Sequence, residues 1–392
     1  MDLRPDPVLE RLVRQAGTRL DAVGPGGAPA AALAALRDIN AFALAAPVEA
    51  DGFDLGLGYA AMICAELGRR ALPEVYGGVL LVLDALAPRD PARAADLANG
   101  ETPVSAAGVS AAGVDAAPGR SRDAARLETT ATGFELHGVA VFDDAGSADS
   151  GAALCCVPAV LPSDDPGRDS SLRFVLLTAP QWRAHTTAAP GGGLRLDAGA
   201  IAVTEADVLG GESEQHGADS PGTDPVVLLA RALVRQAGYL IGLGEGALAL
   251  AVRHAARRRQ FGRAVLDNQG ISLPLAQSRV ALAAGRLMVR QAAWLADAGE
   301  PFALEAVQSL AAASETALAV VRQAIQVHGA RGLNLEYPVH AFYQPVRTAA
   351  TRYGSASALW REAGALRLAA AARIPVPAAS AAAVLSQERP SR

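Results

Sequence analysis

The chain has 392 residues, with 35 basic and 40 acidic side chains and a formal net charge of −5, a balance that excludes a protein holding nucleic acid by bulk positive charge. No lysine occurs, which excludes lysine-dependent chemistry such as a Schiff base or a P-loop. Apolar residues make up 51 % and aromatics only 4 %, so Ala and Leu carry the hydrophobicity and favour close-packed helices over a sheet-dominated fold.

This length accommodates two or three domains with substantial cores. Cys64, Cys155 and Cys156 give neither a disulfide framework nor a metal-ligand spacing, and no metal site is expected. No leader and no apolar run of membrane-spanning length is read; Val226 to Val234 is interrupted by Arg231 and ended by Arg235. The expectation is a cytoplasmic protein, with no nucleic acid and no membrane among its partners.

Residues 1–100 read as an all-helical domain, with apolar residues at three- and four-residue spacing and breaks at Gly24 to Gly27, Gly52 and Pro73. Ala60 to Ala71 and the stretch after Tyr76 form a helix, turn and helix. Over 101–210 the pattern becomes short and alternating. Strands are expected at Ala125 to Thr130, Phe134 to Phe142, Ala152 to Val160, Leu172 to Thr178 and Ala198 to Val203, with a hairpin turn at Gly133. Lying between two helical regions, they suggest a small β-barrel or sandwich.

Residues 211–224 read as a polar linker and 225–375 as a four-helix bundle, with helices at Pro225 to Arg259, Ser272 to Ala298, Phe302 to Gly329 and Gly354 to Arg373. The first would be about 50 Å long at roughly 1.5 Å per residue. Residues 376–392, rich in Pro, Ala and Ser, read as a flexible tail. The fold class is therefore α+β.

The first bundle helix ends in Arg257-Arg258-Arg259-Gln260-Phe261-Gly262, with Gln269 following. Cations also suit the negative end of a helix dipole, so the cluster by itself leaves two readings. Later come Gln326-Val327-His328-Gly329-Ala330-Arg331-Gly332 and Glu336-Tyr337-Pro338. The two stretches, in that order, resemble signatures of the acyl-CoA dehydrogenase superfamily. The likeness is firm from about Asp224 to Arg373 and loose from Phe42 to Leu86. It implies an acyl-CoA dehydrogenase-like fold of the domain order just read.

It also implies FAD at a subunit interface and an acyl thioester substrate, whose α proton a carboxylate removes while the β hydride leaves for the flavin. By the same resemblance Arg258 meets the pyrophosphate, where a planar fork of donors suits phosphate oxygens. Gln260 and Phe261 lie beside it, and Gln326 and Gly329 lie toward the adenosine end. Phe142 stands where an aromatic stacks on the flavin, Asp144 replaces a hydroxyl residue there, and Ser355 takes a further flavin-contact position.

The chain departs from the family at the base. Tyr353 holds the position of the usual glutamate, and Ala232 the position used by other branches, with no carboxylate from Pro225 to Gly244. Holding a tyrosine as phenolate at pH 7 costs about 4 kcal/mol unless neighbours lower its pKa. Tyr353 is therefore either an unusual base, helped by Arg352 and Arg347, or a residue that fills the acyl pocket. The family's Thr-Glu-Pro-like segment is not found between Thr102 and Asp115. Pro345 is expected to end a helix early. His328 and His340 read as hydrogen-bonded histidines, and Trp182, Trp294 and Trp360 as core or interface residues.

Two functions follow. One is a flavoenzyme acting on a thioester of CoA or a carrier protein, serving an electron-transfer acceptor. The other is a non-catalytic subunit that completes a partner's site. A homo-oligomer, or a hetero-oligomer with a homologous subunit, is implied; a flavin-free scaffold leaves the arginine stretch unexplained.

Overall fold

The computed structural model describes residues 6–100, 102, 104–107, 125–131, 133–142, 153–162, 171–188, 194–210 and 224–372. Asp144, most of the stretch from Thr102 to Asp115, residues 211–223 of the linker and the tail 376–392 lie outside these.

The N-terminal region is helical as read: α1 (Pro7–Asp21), α2 (Pro29–Arg37), α3 (Ala41–Ala45), α4 (Gly56–Arg69), α5 (Tyr76–Leu86) and α6 (Pro91–Ala98). Pro7, Pro29 and Pro91 each open a helix, where the missing N–H has no intrahelical partner to lose. Asp6 and Asp90 accept from Val8 N at 2.6 Å and Arg93 N at 3.1 Å, satisfying exposed first-turn donors.

The middle region forms one eight-stranded sheet from β1 (Val104–Ala106), β2 (Arg126–Thr130), β3 (Gly133–Phe142), β4 (Leu154–Leu161), β5 (Ser171–Thr178), β6 (Thr186–Ala188), β7 (Leu194–Val203) and β8 (Val208–Leu209). A short helix, α7 (Ala179–Arg183), follows β5. The order runs β6-β7-β3-β2-β4-β5-β8, with β1 parallel to β4. Thr130 pairs with Gly133, so the β2–β3 hairpin turns where the sequence places it. The strand expected from Ala152 to Val160 is β4; Ala152 lies outside the described residues.

Alternation along β4 and β5 splits their side chains between two cores. Cys155, Val157, Val175 and Leu177 join Leu127, Leu136, Phe142 and Trp182 in a core of the β region. Cys156, Phe174 and Leu176 join the helical core.

The C-terminal helices are α8 (Pro225–Arg257), α9 (Gln269–Asp297), α10 (Ala303–His328), α11 (Tyr343–Ala349) and α12 (Ala356–Ala372), with a hairpin of β9 (Arg259–Gln260) and β10 (Arg263–Ala264) after α8. Two readings change. α9 starts before Ser272 and carries Pro274 inside it, forgoing one backbone bond. Pro345 does not end a helix; it lies in the first turn of α11, where no donor is needed.

The N-terminal helices and the bundle share one core. Leu57, Ile63 and Leu67 of α4 pack with Leu240, Leu243 and Ala247 of α8 and with Leu310 and Val321 of α10. α4 approaches α8 at backbone distance. A Cβ on Gly242 would lie 2.1 Å from Ala65 O, and one on Gly68 2.1 Å from Tyr239 O. The buried Tyr239 hydroxyl donates to Leu72 O at 2.8 Å, fixing the crossing.

Two helices, Pro225–Arg257 and Ala303–Leu333 with its 3-10 turn, are long and apolar enough by composition to cross a membrane. Their apolar windows are 78 % and 56 % buried in the bundle, as core helices require.

Candidate functional site

α8 begins at Asp224, whose carboxylate accepts from Val226 N at 2.8 Å, and its last turn carries His254 and Arg257 toward the negative end of the helix dipole. Arg258 caps it in an extended conformation, and the chain doubles back through the β9–β10 hairpin. Phe261 and Gly262 form the turn with φ of 51° and 80°. Two successive positive φ values are what a two-residue type I′ turn demands. Glycine adopts this freely, but for a bulky aromatic it is strained. Phe261 is also 97 % exposed, so its ring gains almost no burial within the chain. A strained residue presenting an aromatic ring to solvent marks a surface of functional interest.

α10 ends beside this turn. Its C-cap, Gly329, has φ 62° and ψ −143°, a region open in practice only to glycine. The reversal carries Arg331 back across the end of α8. His328 is held by its Nδ1 against Ala324 O at 2.7 Å, as read from the sequence. Its ring lies 4.4 Å from that of His254 and 5.4 Å, edge-on, from that of Tyr337. His340 Nδ1 lies 3.4 Å from Gly332 O.

The two sequence motifs thus meet at one end of the bundle. They enclose a hollow of about 380 Å³ lined by Arg253, His254, Arg257, Arg258, His328 and Arg331, with Tyr337 at its side. No carboxylate is among the described lining residues, and none of the four arginines has an ion-pair partner among the described residues. Gathered guanidiniums repel one another, and a multiply charged oxyanion is the group that relieves this. Gln260 and Phe261 stand exposed on the adjoining hairpin, and Gln326 and Gly329 are exposed at the end of α10.

Sequence reasoning found Arg258 but not Arg253, His254, Arg257 or Arg331. The signal was available in part, since positions 253, 254, 257 and 258 share one face of a helix.

The other proposed contacts lie elsewhere. Phe142 is 1 % exposed and packed in the β core with Leu136 and Trp182. Ser355 is exposed; its Oγ accepts from Ala358 N at 3.2 Å and lies 3.1 Å from Ser357 Oγ, capping the first turn of α12. Trp182 is core, whereas Trp294 and Trp360 are 40 % and 38 % exposed.

Tyr353 sits in the loop before α12, partly buried against the helical core. Burial pushes its phenol up to about 12, and the charge of Glu74 adds to this while Arg352 and Arg235 oppose it. Arg352 cannot supply the missing activation, because it is committed elsewhere. It donates to Ala106 O at 2.6 Å and pairs with Glu74 at 3.3 Å. Glu74 is the carboxylate whose charge acts on Tyr353, and it too is engaged, accepting from Gly77 N at 2.7 Å.

The alternative glutamate position, Ala232, is buried between Arg231 and Arg235. Both arginines pair with Asp84, which reaches across from α5; Arg231 does so through Nε at 3.0 Å and Nη2 at 3.2 Å. Burial alone would raise the Asp84 pKa, but the charges of Arg231 and Arg235 outweigh it and hold the carboxyl below its ordinary value. Cations therefore flank both places where a basic carboxylate would stand.

Among known proteins, the family profile of the acyl-CoA dehydrogenase C-terminal domain matches residues 229–365. Acryloyl-CoA reductase (NADH) of Anaerotignum propionicum is 38 % identical over 107 residues, covering 27 % of this chain and 27 % of that protein. Mitochondrial short-chain specific acyl-CoA dehydrogenase of Rattus norvegicus is 36 % identical over 111 residues, 28 % of this chain and 27 % of that one. The chain thus matches only about a quarter of the length of these curated relatives. Two solved structures extend the likeness over nearly the whole chain. The ChsE4-ChsE5 complex from Mycobacterium tuberculosis contains a chain with TM-score 0.77 and 21 % identity, covering 96 % of this chain and 100 % of that one. Butyryl-CoA dehydrogenase from Megasphaera elsdenii gives 0.76 and 19 %, covering 94 % and 100 %. At such identities they speak for the fold.

Proposed function

We propose that the chain, whose residues 229–365 match the acyl-CoA dehydrogenase C-terminal domain, is a subunit of an FAD-dependent acyl thioester dehydrogenase in which a homologous partner supplies the catalytic carboxylate. The observation that carries this is a contrast within one molecule. A carboxylate-free arginine pocket stands open at the end of the bundle, while neither family base position holds a carboxylate.

The donor set suits the pyrophosphate of FAD, with Arg258 as a direct contact and Arg257 and Arg331 able to share its charge. Bound there, FAD supplies the hydride acceptor for oxidation of the acyl chain. Phe261, exposed on its strained turn, suits a contact that only a neighbouring subunit completes. The buried state of Tyr353 supports a filling role in this chain's own acyl pocket. A phenol pushed up to about 12 stays protonated at neutral pH and removes no α proton.

In a self-sufficient flavoenzyme acting on a CoA or carrier-protein thioester, the proton would have to go to Glu74 or Tyr353. The contacts of Glu74 with Arg352, Gly77 and Cys64 favour a structural role for it instead.

The test is the visible spectrum and solution mass of the protein purified alone and after co-expression with a glutamate-bearing homologue. The proposal expects stoichiometric flavin and thioester oxidation in the hetero-oligomer, and no oxidation by the chain alone. Bleaching of flavin by acyl thioesters in a homo-oligomer of this chain would overturn it.

A further inference from the structure

The arginine pocket contains one feature that phosphate binding alone does not require. His254 lies within it, its ring 4.4 Å from that of His328 and tilted 35° to it. From its own helix it faces Arg253, Arg257 and Arg258. The end of α10 contributes His328, the turn after α10 contributes Arg331, and Tyr337 closes the side. No acidic group is among the described residues of this lining.

We propose that His254 is a proton-linked anion contact: it is neutral in the empty pocket and takes one proton from solvent when a diphosphate group enters. This rests on reading the pocket as a pyrophosphate subsite, and it adds a residue and a pH dependence to that subsite.

The physical argument is one of field reversal. In the empty pocket, burial and then the neighbouring His328, Arg258 and Arg331 hold the imidazole below its ordinary range. An entering diphosphate brings more than one negative charge among these cations and inverts the potential at the ring. The charged imidazolium then gains an acceptor and a counter-charge, so its pKa rises in the complex. Because the complex binds the extra proton, affinity rises as pH falls through the histidine range, by up to about tenfold per pH unit where one proton is fully linked.

Isothermal titration of the full-length chain with ADP-ribose, a diphosphate diester whose phosphates do not titrate in this range, from about pH 6 to about pH 8 in buffers of different ionisation enthalpy, reads the proton directly. Uptake approaching about one proton per site, with affinity falling as pH rises, is the expected result. His254→Gln should remove the uptake and flatten the pH dependence while binding persists through the arginines. Wild-type binding without uptake, uptake that survives in His254→Gln, or no binding of the diphosphate diester at about pH 6 would each overturn the inference. Flavin retention separates the two claims. FAD retained by the co-expressed hetero-oligomer without proton uptake refutes the histidine link alone; uptake in the chain with no FAD retained by that hetero-oligomer refutes the flavin reading alone.

Discussion

The sequence resemblance puts Tyr353 at the loop position of a catalytic glutamate, but its surroundings decide what it can do. With its phenol pushed up to about 12 by burial, the folded state resists ionising it. The sign follows: whatever stability its neutral form contributes is complete below the unfolded value near 10 and is lost as pH rises from there through about 12. Tyr353→Phe should therefore leave flavin content unchanged and turnover of the assembled oligomer within about threefold. A general base contributes about 10²- to 10⁴-fold, so a loss of that size in steady-state kinetics would restore Tyr353 to the chemistry. Phe261 poses the opposite case, a residue strained and exposed within the chain that the proposed function assigns to a contact with a neighbouring subunit. Phe261→Gly relieves a positive φ that costs about 1–2 kcal/mol, so chemical denaturation of the isolated chain should show a gain of that order. The same variant should weaken assembly, as measured by solution mass against concentration.

At the scale of elements, the crossing of α4 on α8 positions everything else. Gly68 and Gly242 let the two backbones touch, and Gly242→Ala drives a Cβ into Ala65 O. Overpacking of this kind costs about 1–3 kcal/mol, which denaturant midpoints would report. The arginine pocket depends on this crossing only indirectly, through the seating of α8 beside α10. Its flavin content should therefore fall less than the stability does. The helix periods made α4, α8 and α10 legible, and the Gly133 hairpin was legible from turn chemistry. Pro274 and Pro345 were not, because whether a proline ends or opens a helix depends on which carbonyl its missing donor would have met.

For the whole molecule, the shared core of the N-terminal helices and the bundle means that the site end of α8 rests on both regions. An intact pocket without a base makes sense in an oligomer of unlike chains. Arg258→Ala should weaken flavin retention in that oligomer by about 1.5–3 kcal/mol, the range for a hydrogen bond to a charged group. The readout is equilibrium dialysis of the co-purified complex. Unchanged affinity would remove Arg258 from the pyrophosphate.

The sequence by itself determined the order of helical, β and helical regions, because apolar periodicity and turn residues are local properties of the chain. It also carried the family resemblance, through two motifs in the family's order, and the lack of a carboxylate at Tyr353 and Ala232, which is a matter of identity alone. Only the tertiary structure decided that Arg253, His254, Arg257, Arg258 and Arg331 face one hollow with no acid among its described lining, since Arg331 arrives from another helix end. It also turned Phe142 into a core residue, through the side of the sheet that β3 buries. And it set the state of Tyr353, because desolvation is a property of what packs around a group and is written nowhere near it in the chain.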